Sequence, residues 1–238
     1  MSGEQKRRPG GELSSRPLHF FWICDCSGSM ASDGKIQSLN NAIREALPHM
    51  KDVAKENANA QLLIRVLCFS NGAKWNVSQP TPVEDFKWDD LKAEGVTDMG
   101  KALTMVAEQL KMPPMPERAL PPVLVLLSDG QPTDDFAGGL KKLMDENWGI
   151  KAVRIAIAIG VDADNDVLQK FIGHSEIKPL QANNPDALAK YIKWVSTAVV
   201  KSVSAPASTG KGDKQSGMNV NIPTADNVVG PTAGNDVW

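Results

Sequence analysis

Cysteine is scarce in this chain, and the few cysteines present do not form a framework. The 238 residues contain three cysteines, an odd number. Disulfide-stabilised domains need paired cysteines and an oxidising compartment, so this count argues against a disulfide fold. We therefore expect a reducing environment and a cytoplasmic location. Cys24 and Cys26, which flank Asp25, are expected to be buried structural thiols and not nucleophiles.

Long apolar runs and an excess of one charge are also missing. The first apolar run, residues 18–24, is too short to cross a bilayer, and residues 1–16 contain no apolar stretch of signal-peptide length. Lys and Arg number 26 against 28 Asp and Glu, which gives a formal net charge of −2. Proteins that bind phosphate backbones usually carry excess positive charge. The sequence therefore predicts no membrane insertion and no secretion, and it argues against nucleic acid as a partner.

Glycine and proline divide the chain into one folded region and two terminal segments. Residues 1–16 are polar and lack apolar periodicity, and residues 204–238 are interrupted repeatedly by glycine and proline. Such segments cannot bury enough apolar surface to offset the entropy lost on ordering. We expect a flexible N-terminal segment at 1–16, one domain at 17–203 and a flexible C-terminal tail at 204–238.

Strand patterns alternate with helical patterns along the predicted domain. Short runs rich in Val, Ile and Leu are typical of strands buried on both faces, and they occupy residues 19–24, 62–69, 123–127 and 153–159. Apolar residues at steps of three and four, which indicate helices, lie within 34–55, 99–110 and 188–199. This alternation predicts an α/β fold with a doubly wound, mostly parallel central sheet and helices on both faces.

Two segments rich in proline are expected to connect these elements. Residues 75–86 are polar and contain prolines, which predicts a connection with a short antiparallel edge strand. The prolines within 111–122 exclude a helix there and predict a stiff surface loop.

Two groups of aspartates are interpreted as helix starts. Asp134 and Asp135 follow a proline, and this position favours the beginning of a helix, although these residues could also border an ion site. Asp162, Asp164 and Asp166 resemble the opening of a calcium loop, but the glycine and glutamate that such a loop needs are missing. We therefore expect them to stabilise a helix N-terminus.

Three loops place oxygen-bearing side chains where predicted strands end or a helix begins. The first strand runs into the sequence DCSGS, which contains Asp25, Ser27 and Ser29, and the third strand runs into SDG, which contains Asp129. Another loop places Thr97 just before a helix. Ligands of open parallel sheets bind outside the carboxyl ends of the strands, so these five side chains are candidates for one site.

The chemistry of these side chains predicts a hard divalent cation. Carboxylates and hydroxyls offer only oxygen, which suits Mg²⁺ or Mn²⁺ better than zinc. If hydroxyls bound the ion directly and the carboxylates acted largely through water, the ion would keep much of its positive charge. An acidic side chain from another protein could then complete the coordination.

The motifs DxSxS at Asp25–Ser29, GxTDxG around Thr97 and LSDG at Asp129 resemble the metal-ion-dependent adhesion site of von Willebrand factor A domains. Their order and approximate spacing match that site, and the pattern of elements is similar over residues 17–203. The resemblance implies that Ser27, Ser29 and Thr97 bind the ion directly. It implies that Asp25 and Asp129 mostly contact these ligands and not the ion itself. It also implies a doubly wound fold with Mg²⁺ at its upper edge.

Within that family, the run FWICDCSGSM and the strand end CFSN are similar to bacterial TerY-type proteins associated with tellurite resistance. Those proteins are found with a protein kinase and a PP2C-type phosphatase. The resemblance implies a scaffold or regulator of a kinase and phosphatase module in stress response or defence. It implies a protein partner that supplies Asp or Glu to the ion, and no enzymatic activity.

Three alternatives stay open at this point. Ser, Thr and Asp commonly cap helices and turns, so each candidate taken alone could have that role. The same ion could polarise phosphate in a metal-dependent phosphatase or hydrolase, although the chain lacks the nucleotide motif GxxxxGK[ST] and shows no obvious base. Some members of the family resemble substrate adaptors for hexameric ATPases.

Overall fold

Six strands form one sheet in the part of the chain that the structure describes. This computed structural model describes residues 15–205, 223–225 and 228, and its strands are β1 (Arg16–Asp25), β2 (Ala60–Ser70), β3 (Gly72–Pro82), β4 (Val123–Ser128), β5 (Val153–Ile159) and β6 (Leu180–Ala182). The order across the sheet is β3-β2-β1-β4-β5-β6. The β2–β3 pair is antiparallel and the other pairs are parallel. The carboxyl ends of the neighbouring strands β1 and β4 therefore meet at one edge.

Helices cover both faces of this sheet. They are α1 (Lys35–Glu56), α2 (Met99–Gln109), α3 (Phe136–Asp145), α4 (Asn147–Lys151), α5 (Asn165–Ile172), α6 (Pro185–Trp194) and α7 (Val200–Ser204). A 3₁₀ segment, Gly28–Gly34, precedes α1, and a π-helical segment, Val195–Val199, joins α6 to α7. Core residues of α1, α6 and α7 pack on one face, and those of α2, α3 and α5 pack on the other. The predicted doubly wound α/β fold is confirmed.

The sheet is buried on both sides because its strands are apolar at consecutive positions. Phe20 and Trp22 in β1 face the α1 side, whereas Phe21 and Ile23 face the α2 side, and all four are fully buried. Side chains alternate across a strand, so a continuous apolar run supplies both cores. Burying a side chain of this size typically stabilises a fold by about 1.5–3 kcal/mol.

The predicted connections agree with the structure in kind but not always in length. The expected short edge strand is β3, an antiparallel strand of 11 residues that begins before Trp75. No helix forms within 111–122 among the described residues, as the prolines predicted. The sequence predicted neither α4 nor β6, which contain five and three residues.

Asp135 and Asp164, two of the aspartates interpreted as helix starts, accept hydrogen bonds at helix N-termini, and Asp166 lies in the first turn of α5. Asp135 accepts a hydrogen bond from the Gly138 N–H at the start of α3, and Asp164 accepts from two backbone N–H groups at the start of α5. Asp134 has a different role from the one expected, because its carboxylate accepts from the N–H groups of Gly100 and Lys101 in α2. It therefore ties α2 to the loop before α3.

The terminal segments predicted at 1–16 and 204–238 lie almost wholly outside the described residues. β1 begins at Arg16, and α7 ends at Ser204. None of the described helices combines the length and apolar character that crossing a membrane requires.

Candidate metal site

Backbone hydrogen bonds join the three loops that carry the predicted site. Gly28 N–H donates to Gly95 O at 2.9 Å, and Glu94 N–H donates to Cys26 O at 2.8 Å, so the first and second loops are paired. The second loop is tied in turn to the third. Thr133 N–H donates to Thr97 O at 2.9 Å, and Thr97 N–H donates to Thr133 Oγ1 at 3.0 Å.

A continuous chain of hydrogen bonds links four of the five predicted side chains. Asp25 Oδ2 accepts from Ser128 Oγ at 2.6 Å, and Asp25 Oδ1 accepts from Ser27 N–H at 2.8 Å. Ser27 Oγ lies 3.0 Å from Ser29 Oγ, and Ser29 Oγ donates to Asp129 Oδ1 at 2.7 Å. The structure therefore brings residues 25, 27 and 29 together with residue 129, although about a hundred positions separate them in the chain.

Thr97, the fifth predicted residue, borders the same space as Ser29. A Cβ atom added to Gly130 would lie 3.8 Å from Ser29 Oγ and 3.9 Å from Thr97 Oγ1. Both hydroxyls therefore approach the position next to Gly130. A glycine there keeps this space free of a side chain.

The site is buried except at one corner. Asp25, Ser27, Thr97 and Asp129 are all less than a tenth exposed, whereas Ser29 is exposed to solvent. Burial raises the pKa of Asp25 to about 6, and the nearby Asp129 charge adds to this effect. Hydrogen bonds from Ser128 and Ser27 act in the opposite direction and favour the carboxylate. A cation at this place would likewise favour the ionised form.

Three residues that the sequence did not single out support the predicted ones. Ser128 Oγ donates a hydrogen bond to Asp25, and Thr133 Oγ1 accepts one from the Thr97 N–H. Lys35 Nζ forms a 2.8 Å ion pair with Asp129 Oδ2. Lys35 could have been found by its spacing, because it shares the core-facing side of α1 with Leu39 and Ala42. Nothing in the sequence pattern marks Thr133.

The cysteines at the site are buried thiols, as predicted. Cys24, Cys26 and Cys68 are all free and buried. A hydrogen bond with Cys68, followed by burial, raises the pKa of Cys26 far above its ordinary value. The thiolate needed for nucleophilic attack is therefore strongly disfavoured.

One pair of oxygens at the site has the spacing that a small divalent cation requires of neighbouring ligands. In an octahedral Mg²⁺ site with bonds of about 2.1 Å, neighbouring ligand oxygens are about 3 Å apart. The distance of 3.0 Å between Ser27 Oγ and Ser29 Oγ agrees with that spacing. No cluster of three or more His, Cys, Asp or Glu side chains suited to a metal occurs among the described residues. A cation would thus depend on hydroxyls, with carboxylates beside them, which suits Mg²⁺ or Mn²⁺.

Comparison with known protein families identifies the family of this chain. The family model described as "von Willebrand factor type A domain" matches residues 21–191. The chain belongs to the von Willebrand factor type A domain family. A search of curated proteins finds no significant match.

Solved structures share the fold at low sequence identity. A von Willebrand factor type A protein from Catenulispora acidiphila is 19% identical with a TM-score of 0.59, covering 77% of this chain and 42% of that one. The ArnB paralog VWA2 from Sulfolobus acidocaldarius is 20% identical with a TM-score of 0.57, covering 75% of this chain and 44% of that one.

A third similar structure was solved with a metal. Proximal thread matrix protein 1 from the mussel byssus, described with a zinc-occupied MIDAS motif, is 18% identical with a TM-score of 0.57. The match covers 78% of this chain and 48% of that one. This chain therefore spans less than half the length of each of these three structures. At such identities the likeness shows the fold alone.

Proposed function

We propose that this protein is a metal-dependent interaction module that captures an acidic side chain of a partner through a bound Mg²⁺ or Mn²⁺. The observation that carries the proposal is the convergence of three loops on one small space bordered by hydroxyls and carboxylates. Ser29 and Thr97 border that space, and Ser29 bonds both Ser27 and Asp129. Capping does not account for this convergence, and Ser27, the N-cap of the 3₁₀ segment, makes no side-chain cap hydrogen bond.

Three of the site residues would bind the ion, and two would orient the residues that bind it. Ser27, Ser29 and Thr97 would hold the ion, which supplies a positive charge able to accept a carboxylate from outside. Asp25 would orient Ser27 through the Ser27 N–H, and Asp129 would orient Ser29 through its hydroxyl. Because Ser29 is the exposed member, the partner's carboxylate would approach from its side.

The cellular role that we infer is that of a cytoplasmic scaffold or regulator. The supporting feature is the similarity of the FWICDCSGSM run to TerY-type proteins, which are found with a Ser/Thr kinase and a PP2C-type phosphatase. Three free buried cysteines accord with a reducing compartment. We infer that the module binds and does not catalyse, in line with its similarity to TerY-type proteins.

A metal titration tests the site directly. We expect the wild-type protein to bind Mg²⁺ and Mn²⁺ in isothermal titration calorimetry, and Ser29→Ala to weaken binding by at least about tenfold, because it removes one ligand oxygen. Ser78→Ala is the matched control, since Ser78 is exposed in β3. Equal affinities of the wild type and Ser29→Ala would contradict the proposed ligand set.

Affinity capture tests the function. The immobilised protein should retain partners from an extract of its own organism in Mg²⁺ and release them in EDTA, and Asp25→Ala should not retain them while remaining folded. We expect a kinase and a PP2C-type phosphatase among them. Retention that neither EDTA nor Asp25→Ala affects would refute the proposal, and recovery of a hexameric ATPase would favour the adaptor alternative.

A turnover assay separates binding from catalysis. With p-nitrophenyl phosphate and added Mg²⁺ or Mn²⁺, we expect no hydrolysis above the level of the Ser29→Ala protein. Saturable hydrolysis that EDTA and Ser29→Ala both abolish would identify a metal-dependent phosphatase instead.

A further inference from the structure

Lys35 is a buried cation that contacts the candidate site through Asp129. Its Nζ lies 2.8 Å from Asp129 Oδ2, and the two side chains are 10% and 1% exposed. Gly160, at the end of β5, leaves room for it, because a Cβ at that position would lie 3.1 Å from both Lys35 Cε and Nζ. Lys35, the first residue of α1, therefore places its ammonium group beside the site.

Lys35 and Ser29 contact different oxygens of Asp129. Asp129 Oδ2 is occupied by the lysine, and Asp129 Oδ1 accepts from Ser29 Oγ at 2.7 Å. With both oxygens engaged, the carboxylate has one orientation. The lysine thus acts on the predicted ligand Ser29 through a single carboxylate.

The lysine also changes the charge of the site. Asp25 and Asp129 contribute one negative charge each when ionised, and Lys35 contributes one positive charge. A divalent cation would leave this group with one net positive charge, whereas without Lys35 the group would be neutral. The net positive charge of the cation-loaded group attracts a carboxylate from outside, whereas the positive charge of Lys35 repels the divalent cation.

We propose that Lys35 is a positioning residue that weakens binding of the divalent cation and strengthens binding of an acidic group by the cation-loaded site. This inference rests on the proposed function, since it concerns the same site. A role limited to stability would instead weaken both kinds of binding together.

The test replaces the lysine and measures the two affinities separately. Mn²⁺ is the metal probe, with the free ion counted by electron paramagnetic resonance. Acetate is the carboxylate probe, with its binding followed by the relaxation of its methyl protons near bound Mn²⁺. In Lys35→Met we expect about tenfold tighter Mn²⁺ binding and acetate binding weakened by about threefold, as removal of one nearby charge implies.

Two further variants separate charge from position and from general effects. Lys35→Gln removes the charge but retains a donor for Asp129, so it should move both affinities in the directions expected for Lys35→Met. If Lys35→Met does not fold, Lys35→Gln decides. Lys141→Met is the matched control, since Lys141 pairs with Asp145 on an exposed helix surface, and it should change neither affinity.

The outcomes distinguish this inference from the proposed function. If the wild type binds Mn²⁺ and acetate but Lys35→Gln has unchanged affinities for both, the charge role is overturned and the proposed function stands. If Lys35→Gln weakens both, Lys35 is structural and the inference is equally overturned. If the wild type binds no Mn²⁺, the proposed function itself fails and the inference fails with it.

Discussion

Gly139→Ala should lower the free energy of unfolding by about 3 kcal/mol or more, because it forces two helices apart. A Cβ at Gly139 would lie 2.3 Å from Gly100 O and 2.7 Å from Gly100 Cα. In the opposite direction, a Cβ at Gly100 would lie 2.2 Å from Asp135 O. The helices α2 and α3 therefore pack backbone against backbone, and no side chain can rotate to relieve the contact.

Gly138→Ala is the matched control for this prediction. It makes the same change in the same helix, but the atoms nearest to the added Cβ would be those of the flexible Asp135 carboxylate. The gain in helix propensity, about 1 kcal/mol, should offset the disturbed cap. Urea denaturation followed by circular dichroism measures all three proteins. Equal stability of Gly139→Ala and Gly138→Ala would show that the helices separate at little cost.

The same contact has a consequence for the candidate site. The loop that carries Thr97 leads into α2, and the loop that carries Thr133 leads into α3. A shift between the helices would change the Thr97–Thr133 pairing. We therefore expect Gly139→Ala to weaken metal binding as well as stability, whereas Gly138→Ala should leave metal binding nearly unchanged.

Acidification should destabilise the protein by about 3 kcal/mol through His19 alone between pH 7 and pH 4. His19 is buried, and neither ring nitrogen has a hydrogen-bond partner. Burial, followed by the charge of Arg65, lowers the pKa of His19 from 6.5 to about 4. Below pH 6.5 the unfolded chain therefore binds a proton that the folded protein does not. Stability falls from about pH 6.5 downwards until the folded pKa is reached.

His19→Phe tests this effect, because the ring is similar in size and Phe21 already packs beside His19. The free energy of unfolding is measured at pH 7 and at pH 4 for both proteins. The loss on acidification should be about 3 kcal/mol smaller in His19→Phe. Asp25, whose pKa is raised, acts in the opposite direction, but it is present in both proteins and cancels. The same pH dependence in both would contradict the prediction.

Most of the sheet could be predicted because its strands are continuous apolar runs. The run 153–159 coincides with β5, and the other three predicted runs fall within β1, β2 and β4. β3 was predicted too short, because its start depends on a tight turn in which Ser70 pairs with Gly72. β6 has three residues and pairs only at the sheet edge, so tertiary contact and not local pattern determines it.

The predicted site residues are recognisable because their motifs are local, whereas their supports are not. Asp25, Ser27 and Ser29 lie within one short motif. Lys35 reaches Asp129 across 94 positions, and Thr133 reaches Thr97 across 36. Such contacts depend on how loops meet at the sheet edge, which composition and spacing do not specify. The metal ligands themselves stay a prediction until the titration is made.

The pairing of the three loops has a thermodynamic consequence. Gly28, Gly95, Thr97 and Thr133 are joined by hydrogen bonds between their own backbones, so we expect these contacts, and not a cation, to hold the loops in place. Coupled folding produces a large negative heat-capacity change, whereas a rigid site produces a small one. The enthalpy of Mg²⁺ binding should therefore vary little with temperature, and the protein would respond to cation concentration without reshaping its surface.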